Sequence, residues 1–140
     1  MKHLAVLKPR YIRSLLDGDK TLESRFSVNR IPPYEKVRVG DTIYFKQSGG
    51  PVCVMAEAGR VELHDKLEVE DIKRLISKHR KAIACDDDHW KRKAKAKYAT
   101  LVWLTDVRPI DDVTPVPDIP KLFGRAWLVL DNQPIESLPA

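Results

Sequence analysis

Residues 18–25 read Gly-Asp-Lys-Thr-Leu-Glu-Ser-Arg and bring an ammonium, a carboxylate and a guanidinium together in one short stretch. If 21–26 is extended, its side chains alternate: Leu22, Ser24 and Phe26 share one face, and Thr21, Glu23 and Arg25 share the other. Same-face neighbours on a strand lie roughly 7 Å apart, a span that lets Glu23 and Arg25 bracket one planar polar ligand such as a nucleobase. The same spacing also describes a solvated ion pair, which when exposed contributes only about 0–1 kcal/mol. In a closed cleft, burial and Arg25 would lower the Lys20 pKa while Glu23 would raise it, making Lys20 a candidate base and Glu23 a candidate proton shuttle. Lys20 and Glu23 are therefore the candidate catalytic pair.

These residues need a turn and a strand to present them, and the flanking pattern supplies both. Tyr11, Ile12, Leu15 and Leu16 recur at helical spacing behind Pro9, which suits a first helical turn. The helix ends at Gly18, a residue fitted to the left-handed conformation of a C-terminal cap. Residues 3–7 form an apolar strand ahead of it, and Arg10 on the polar helix face is a phosphate candidate. Residues 27–36 hold Pro32 and Pro33, which exclude helix and interior strand. In this loop Arg30 can grip a phosphate and Tyr34 can stack on a base.

Further along, 37–39 and 42–46 read as strands about a Gly40-Asp41 turn, the second ending in Lys46. The turn at 47–51 offers Ser48 and backbone N–H groups to an anion. Residues 52–58 return as the hairpin partner and 61–63 form another strand. Helical spacing runs over 67–83, with His79 at the edge of the apolar stripe. Asp86, Asp87 and Asp88 are placed to cap a helix reaching Tyr98, whose Lys91, Arg92, Lys93, Lys95 and Lys97 face outward as a surface for nucleic-acid backbone. A near-continuous apolar strand follows at 99–107, then a proline-rich connection over 109–120, a last strand at 122–130 and an irregular tail from 131.

The chain has 140 residues and a formal net charge of +5, a size that buries a core as one domain. The positive excess is local: residues 73–97 hold ten Lys or Arg against three Asp. Such a patch attracts polyanions, and it is also what a solvated helix carries. Cys53 and Cys85 form neither a disulfide framework nor a metal motif, which points to a reducing, cytoplasmic compartment. No apolar run is long enough for a membrane span or a signal-peptide core. Neither a cofactor nor a metal is implied.

The helix, the Gly-x-Lys-x-x-Glu-x-Arg order of Gly18, Lys20, Glu23 and Arg25, and the later Gly40-Asp41-x-Ile43-Tyr44-Phe45-Lys46 segment resemble the ASCH family, a branch of the PUA-like β-barrels. The resemblance covers roughly the first 105 residues and makes 106–140 a subfamily-specific extension of a single domain. It implies an α+β fold, a small mixed or antiparallel barrel with flanking helices. It also implies a cleft beside the first helix that binds RNA or a modified nucleoside, lined by Lys20, Glu23 and Arg25; Lys46, Ser48, Tyr34 and Arg30, read from their own loop, turn and strand-end positions, are further candidate ligand contacts. Some family members remove the acetyl group from N4-acetylcytidine with the motif lysine, a threonine three residues later and a separate glutamate, and another is described as a ribonuclease. Here position 23 is Glu where that threonine would stand and the nearest threonine is Thr21, which the resemblance adds to Lys20 and Glu23 as a candidate catalytic residue; binding is the leading expectation and hydrolysis the alternative.

Overall fold

The computed structural model describes residues 1–130. Its elements run β1 (Lys2–Leu7), α1 (Pro9–Asp17), β2 (Leu22–Ser27), β3 (Thr42–Gln47), β4 (Val52–His64), α2 (Val69–Ile83), α3 (His89–Arg92), β5 (Tyr98–Pro109) and β6 (Trp127–Val129). The strands form one six-stranded sheet in the order β2-β5-β4-β3-β1-β6. Only β1 and β3 pair in parallel, from Lys2 opposite Thr42 to Leu7 opposite Gln47. The expected α+β class therefore stands as a mixed sheet curled into a half-barrel.

Alternation along the strands divides the apolar residues between the concave and convex faces. Ala5, Leu7, Ile43, Phe45, Val54, Ala56, Val102 and Trp127 fill the inside, and Ile12 and Leu15 of α1 close it. On the outer face of β1, β3 and β6, Leu4, Tyr44, Met55, Leu128 and Leu130 form a second cluster. Leu22 and Leu101 pack against Ile83 of α2. Burying each such side chain contributes roughly 1.5–3 kcal/mol, so α2 is held against the outside of the β2–β5 pair. Its start carries a capping box in which the Asp71 carboxylate accepts from the Glu68 N–H at 2.8 Å.

Several expectations give way to tertiary geometry. Residues 37–39 do not form a strand; Val37 is buried in the main core and the backbone turns there. The segments 52–58 and 61–63 are one strand, bent where its register against β5 shifts. Gly59 lies at the second shift, and a Cβ there would come within 2.7 Å of the Thr105 Cγ2. The glycine marks a close approach of β5, not a break. The helix from His89 to Tyr98 is a single turn, because the alternating Lys and Ala after Arg92 supply no apolar stripe and β5 already starts at Tyr98. Asp86, Asp87 and Asp88 do not cap it; they pair with Arg92, Arg80 and Lys91. The last strand is three residues long, and Phe123 is exposed in a turn before it. The tail from 131 lies outside the described residues. No helix among those described is long and apolar enough to cross a membrane.

Candidate functional site

Gly18 adopts φ +83°, and its N–H donates to the Leu15 carbonyl, so α1 ends where the sequence places its cap. The chain is then tied twice: Lys20 N–H donates to Ser14 O at 3.0 Å, and Thr21 N–H to Ala82 O at 2.8 Å. This brings Lys20 inward, with only 3 % of its surface exposed. Its Nζ donates to Leu22 O at 3.0 Å and to Ile83 O at 2.9 Å. Ile83 is the last residue of α2, so the ammonium meets the negative end of that helix dipole. The face of Tyr11 lies 5.2 Å from the same Nζ. Burial pushes the Lys20 pKa below the ordinary lysine value, Glu23 opposes the shift and Arg25 adds to it.

Leu22 faces α2 while Glu23 and Arg25 turn the other way, as alternation requires. The Arg25 Nε donates to Glu23 Oε1 at 3.2 Å, and its Nη2 donates to Val6 O at 3.0 Å. Its Nη1 reaches Ala126 O at 3.4 Å, and the guanidinium lies over the Trp127 ring at 5.3 Å. One side chain thus spans the open seam between β2 and the β1–β6 edge. Glu23 Oε2 is buried without a hydrogen-bond partner, 4.0 Å from Lys20 Nζ. A buried carboxylate oxygen in that state is costly unless something donates to it.

Glu23 is among the lining of a cleft of about 250 Å³, together with Lys8, Arg10, Tyr11, Lys20 and Arg25. His89, Arg92 and Lys93 complete its other side. Across Arg25 and Lys93, which line both, lies a groove of about 860 Å³ walled by Phe26, Ile31, Pro33 and Trp127, with Lys36 and Arg125 also in its lining. Trp127 is fixed from behind: its Nε1–H donates to Nδ1 of the buried His3, whose Nε2 contacts Asp41 Oδ2 at 2.8 Å. Because the tryptophan N–H can only donate, the His3 proton resides on Nε2.

The sequence-derived site is thus assembled in part. Lys20, Glu23, Arg25, Arg10, Arg92 and Lys93 converge on the cleft. Thr21 is exposed and lines neither cavity. Tyr34 is no open stacking platform: it is buried, edge-to-face with Tyr98 at 5.0 Å, and Arg30 lies over both rings. Lys46 donates to Gln47 O and Ser48 is exposed in the following turn. Neither lines a cavity, because β1 stands between β3 and the seam. Lys91, Lys95 and Lys97 are exposed away from both cavities, Lys91 pairing with Asp88. Lys8, Tyr11, His89 and Trp127 escaped sequence reasoning. The only local sign was Tyr11 at the border of the α1 apolar stripe. Among the described residues, no three or more His, Cys, Asp or Glu cluster as metal ligands.

Arg92 Nη2 is 3.3 Å from His89 Nδ1, which makes Nδ1 the acceptor and puts the imidazole proton on Nε2. Burial first, then Lys93 and Arg92, lower the His89 pKa to about 4. Below pH about 6.5 the unfolded chain takes up a proton that the folded chain refuses until about 4. Stability from this group is therefore present above that window and lost as pH falls through it. Urea unfolding at pH 7.5 and 4.5 is expected to show wild type losing about 2 kcal/mol more than His89→Gln. Equal losses would remove His89 from the cleft's pH response.

The class of fold defined by these elements is α+β, a six-stranded half-barrel with three helices. Among solved structures it is similar to ASCH from Zymomonas mobilis, with TM-score 0.59 and 20% identity over 77% of this chain and 69% of that one. A serine-to-alanine variant of that protein aligns over 91% of this chain and 86% of its own, at TM-score 0.61 and 18% identity. A protein of Enterococcus faecalis V583 aligns at TM-score 0.51 and 10% identity, over 71% of this chain and 68% of its own. The particular fold is that of the ASCH proteins. No family model matches the chain, and no curated protein matches it.

Proposed function

We propose that this chain is an ASCH-family protein that binds RNA or a modified nucleoside, with a base entering the cleft beside α1. The observation that carries this reading is a cleft in which Glu23 is the acidic residue among Lys8, Arg10, Lys20, Arg25, Arg92 and Lys93. A base edge bearing an amino group can donate to a carboxylate there, as carboxylates accept from such edges elsewhere. The bases of single-stranded RNA can be splayed out to reach such a cleft. The adjoining groove, with Phe26, Ile31 and Trp127 beside Lys36 and Arg125, offers apolar surface and charge to the neighbouring strand.

In filter binding with a short single-stranded RNA, affinity is expected to fall steeply with salt. Glu23→Gln is expected to weaken binding about 10- to 100-fold, the worth of a hydrogen bond to a charged group. Affinity that stays flat with salt, or a variant that binds like wild type, would count against the proposal.

A hydrolase is the second reading, favoured by the buried Lys20 amine with its lowered pKa beside Glu23. In its neutral form the amine can keep both carbonyl bonds and turn its lone pair to a water. That water would add to an acyl carbon as the C–N bond breaks, with the proton passing to the leaving amine. Incubation of wild type with N4-acylated cytidines and with RNA, followed by chromatography, tests it. Absence of product from both ends this reading and leaves binding in place.

A further inference from the structure

The two outer strands of the sheet meet at the larger groove: Phe26 and Ser27 of β2 line one wall, and Trp127, Leu128 and Val129 of β6 line the other. The ladders fix which backbone groups these edges leave over. Val6 N–H donates to Ala126 O, and Leu4 stands opposite Leu128 in the same register, so alternation turns the N–H and C=O of Trp127 and Val129 away from β1. Leu104 N–H donates to Thr21 O, and Leu22 stands opposite Trp103, so Leu22, Ser24 and Phe26 turn theirs away from β5. The Leu22 carbonyl agrees, since it accepts from Lys20 Nζ. Among the described residues, no strand lies beyond either edge, and no backbone group bonds to the outward side of Phe26, Trp127 or Val129.

The gap between the edges is wider than a ladder. Paired strands lie about 4.8 Å apart, whereas here the whole Arg25 side chain reaches across to Val6 O and Ala126 O. Beside it the groove opens to about 860 Å³. Arg25, Lys36, Lys93 and Arg125 line it with no Asp or Glu, and the last three make no ion pair among the described residues. Its rings are not open faces: Trp127 is 4 % exposed with Arg25 over it, and Phe26 packs with Ile72 and Ile76 of α2. The groove therefore offers strand edges and positive charge more than stacking surface.

We infer that this groove takes an extended acidic segment of a partner protein, seated as a seventh strand between β2 and β6. Its main chain bonds to the free edges and its carboxylates meet Lys36, Lys93 and Arg125, while apolar side chains alternate toward Ile31 and Pro33. The inference goes beyond the base-binding reading, and a peptide so placed excludes flanking RNA from the groove.

Fluorescence anisotropy of the full chain at low salt tests it, with a panel of labelled hexapeptides that alternate Val, Ile or Phe with Asp or Glu, each beside a counterpart carrying Lys in place of the acids. At least one acidic member is expected to bind about tenfold or more tightly than its lysine counterpart. Methylating its backbone nitrogens should abolish binding, and the bound peptide should slow hydrogen exchange at the Trp127 and Val129 amides. The double substitution Lys36→Glu, Arg125→Glu, at two exposed side chains, should cancel the acidic preference. A panel that does not bind, acidic and lysine members that bind alike, or a bound peptide that leaves both amides exchanging as before each overturn the inference. So does RNA, and not peptide, protecting those amides, which would give the groove to RNA. Filter binding reports on the other reading separately: RNA bound without any peptide leaves base binding and removes this inference, and peptide bound without RNA does the reverse.

Discussion

Lys20→Met is expected to lower the free energy of unfolding by about 3–5 kcal/mol, the range for removing one partner from a buried ionic set. The substitution strips the Leu22 and Ile83 carbonyls of their donor and leaves Glu23 with Arg25 as its one cationic neighbour within 4 Å. Methionine fills similar volume, so the loss is electrostatic and not a cavity effect. The Ile83 bond joins the start of β2 to the end of α2, and the damage should reach that helix first. Urea denaturation followed by far-UV circular dichroism gives the magnitude. The combination Lys20→Met, Glu23→Gln should be more stable than the sum of the two single changes, because each alone leaves the other's charge less compensated. A single variant within about 1 kcal/mol of wild type, or a strictly additive double, would mean that Lys20 is not the internal counter-ion described here.

Arg25→Ala is the second large effect, expected at about 2–4 kcal/mol. The guanidinium serves Glu23 Oε1, Val6 O and Ala126 O together, so its removal takes a donor from a buried carboxylate and from the Val6 carbonyl, while Ala126 O keeps the Val6 N–H. It also deletes the wall shared by the cleft and the groove. Arg25→Lys keeps the charge but not the planar fork, and one ammonium cannot hold three acceptors in that geometry; it should recover less than half of the loss. Hydrogen exchange adds a local readout. The Val6 amide, bonded to Ala126 O at 2.9 Å, should exchange faster in both variants. A lysine variant with wild-type stability and unchanged Val6 protection would show that the seam closes without Arg25.

These two effects give the segment from Gly18 to Arg25 structural roles beside its place in the cleft. Lys20 ties the chain ahead of β2 to a helix end, Arg25 ties β2 to the far edge of the sheet, and Glu23 lies between the two cations.

Much of this arrangement was legible before any fold was known. The helix ending at Gly18, the alternation that opposes Leu22 to Glu23 and Arg25, and the apolar strand at 99–107 all follow from local rules: helix caps, a two-residue strand period, and side-chain burial. The family resemblance added a small barrel, which the structure shows as a half-barrel. Misreadings arose where a local signal has two tertiary meanings. Gly59 reads as an interruption along the chain and is a contact point across the sheet. A cationic run reads as one helical face, yet its members scatter once the helix stops at Arg92, leaving Arg92 and Lys93 at the cleft. Tyr34 and Arg30 read as a rim, and Tyr98, far along the chain, draws them into packing of their own. Sequence by itself determined which side chains share a face, because that depends on backbone period alone. What stands opposite each face was decided only by the curled sheet: Ile83 against Lys20, Val6 and Ala126 against Arg25, and, among the described residues, no donor for Glu23 Oε2. Those partners lie many residues away, and burial and hydrogen bonding are properties of the assembled surfaces.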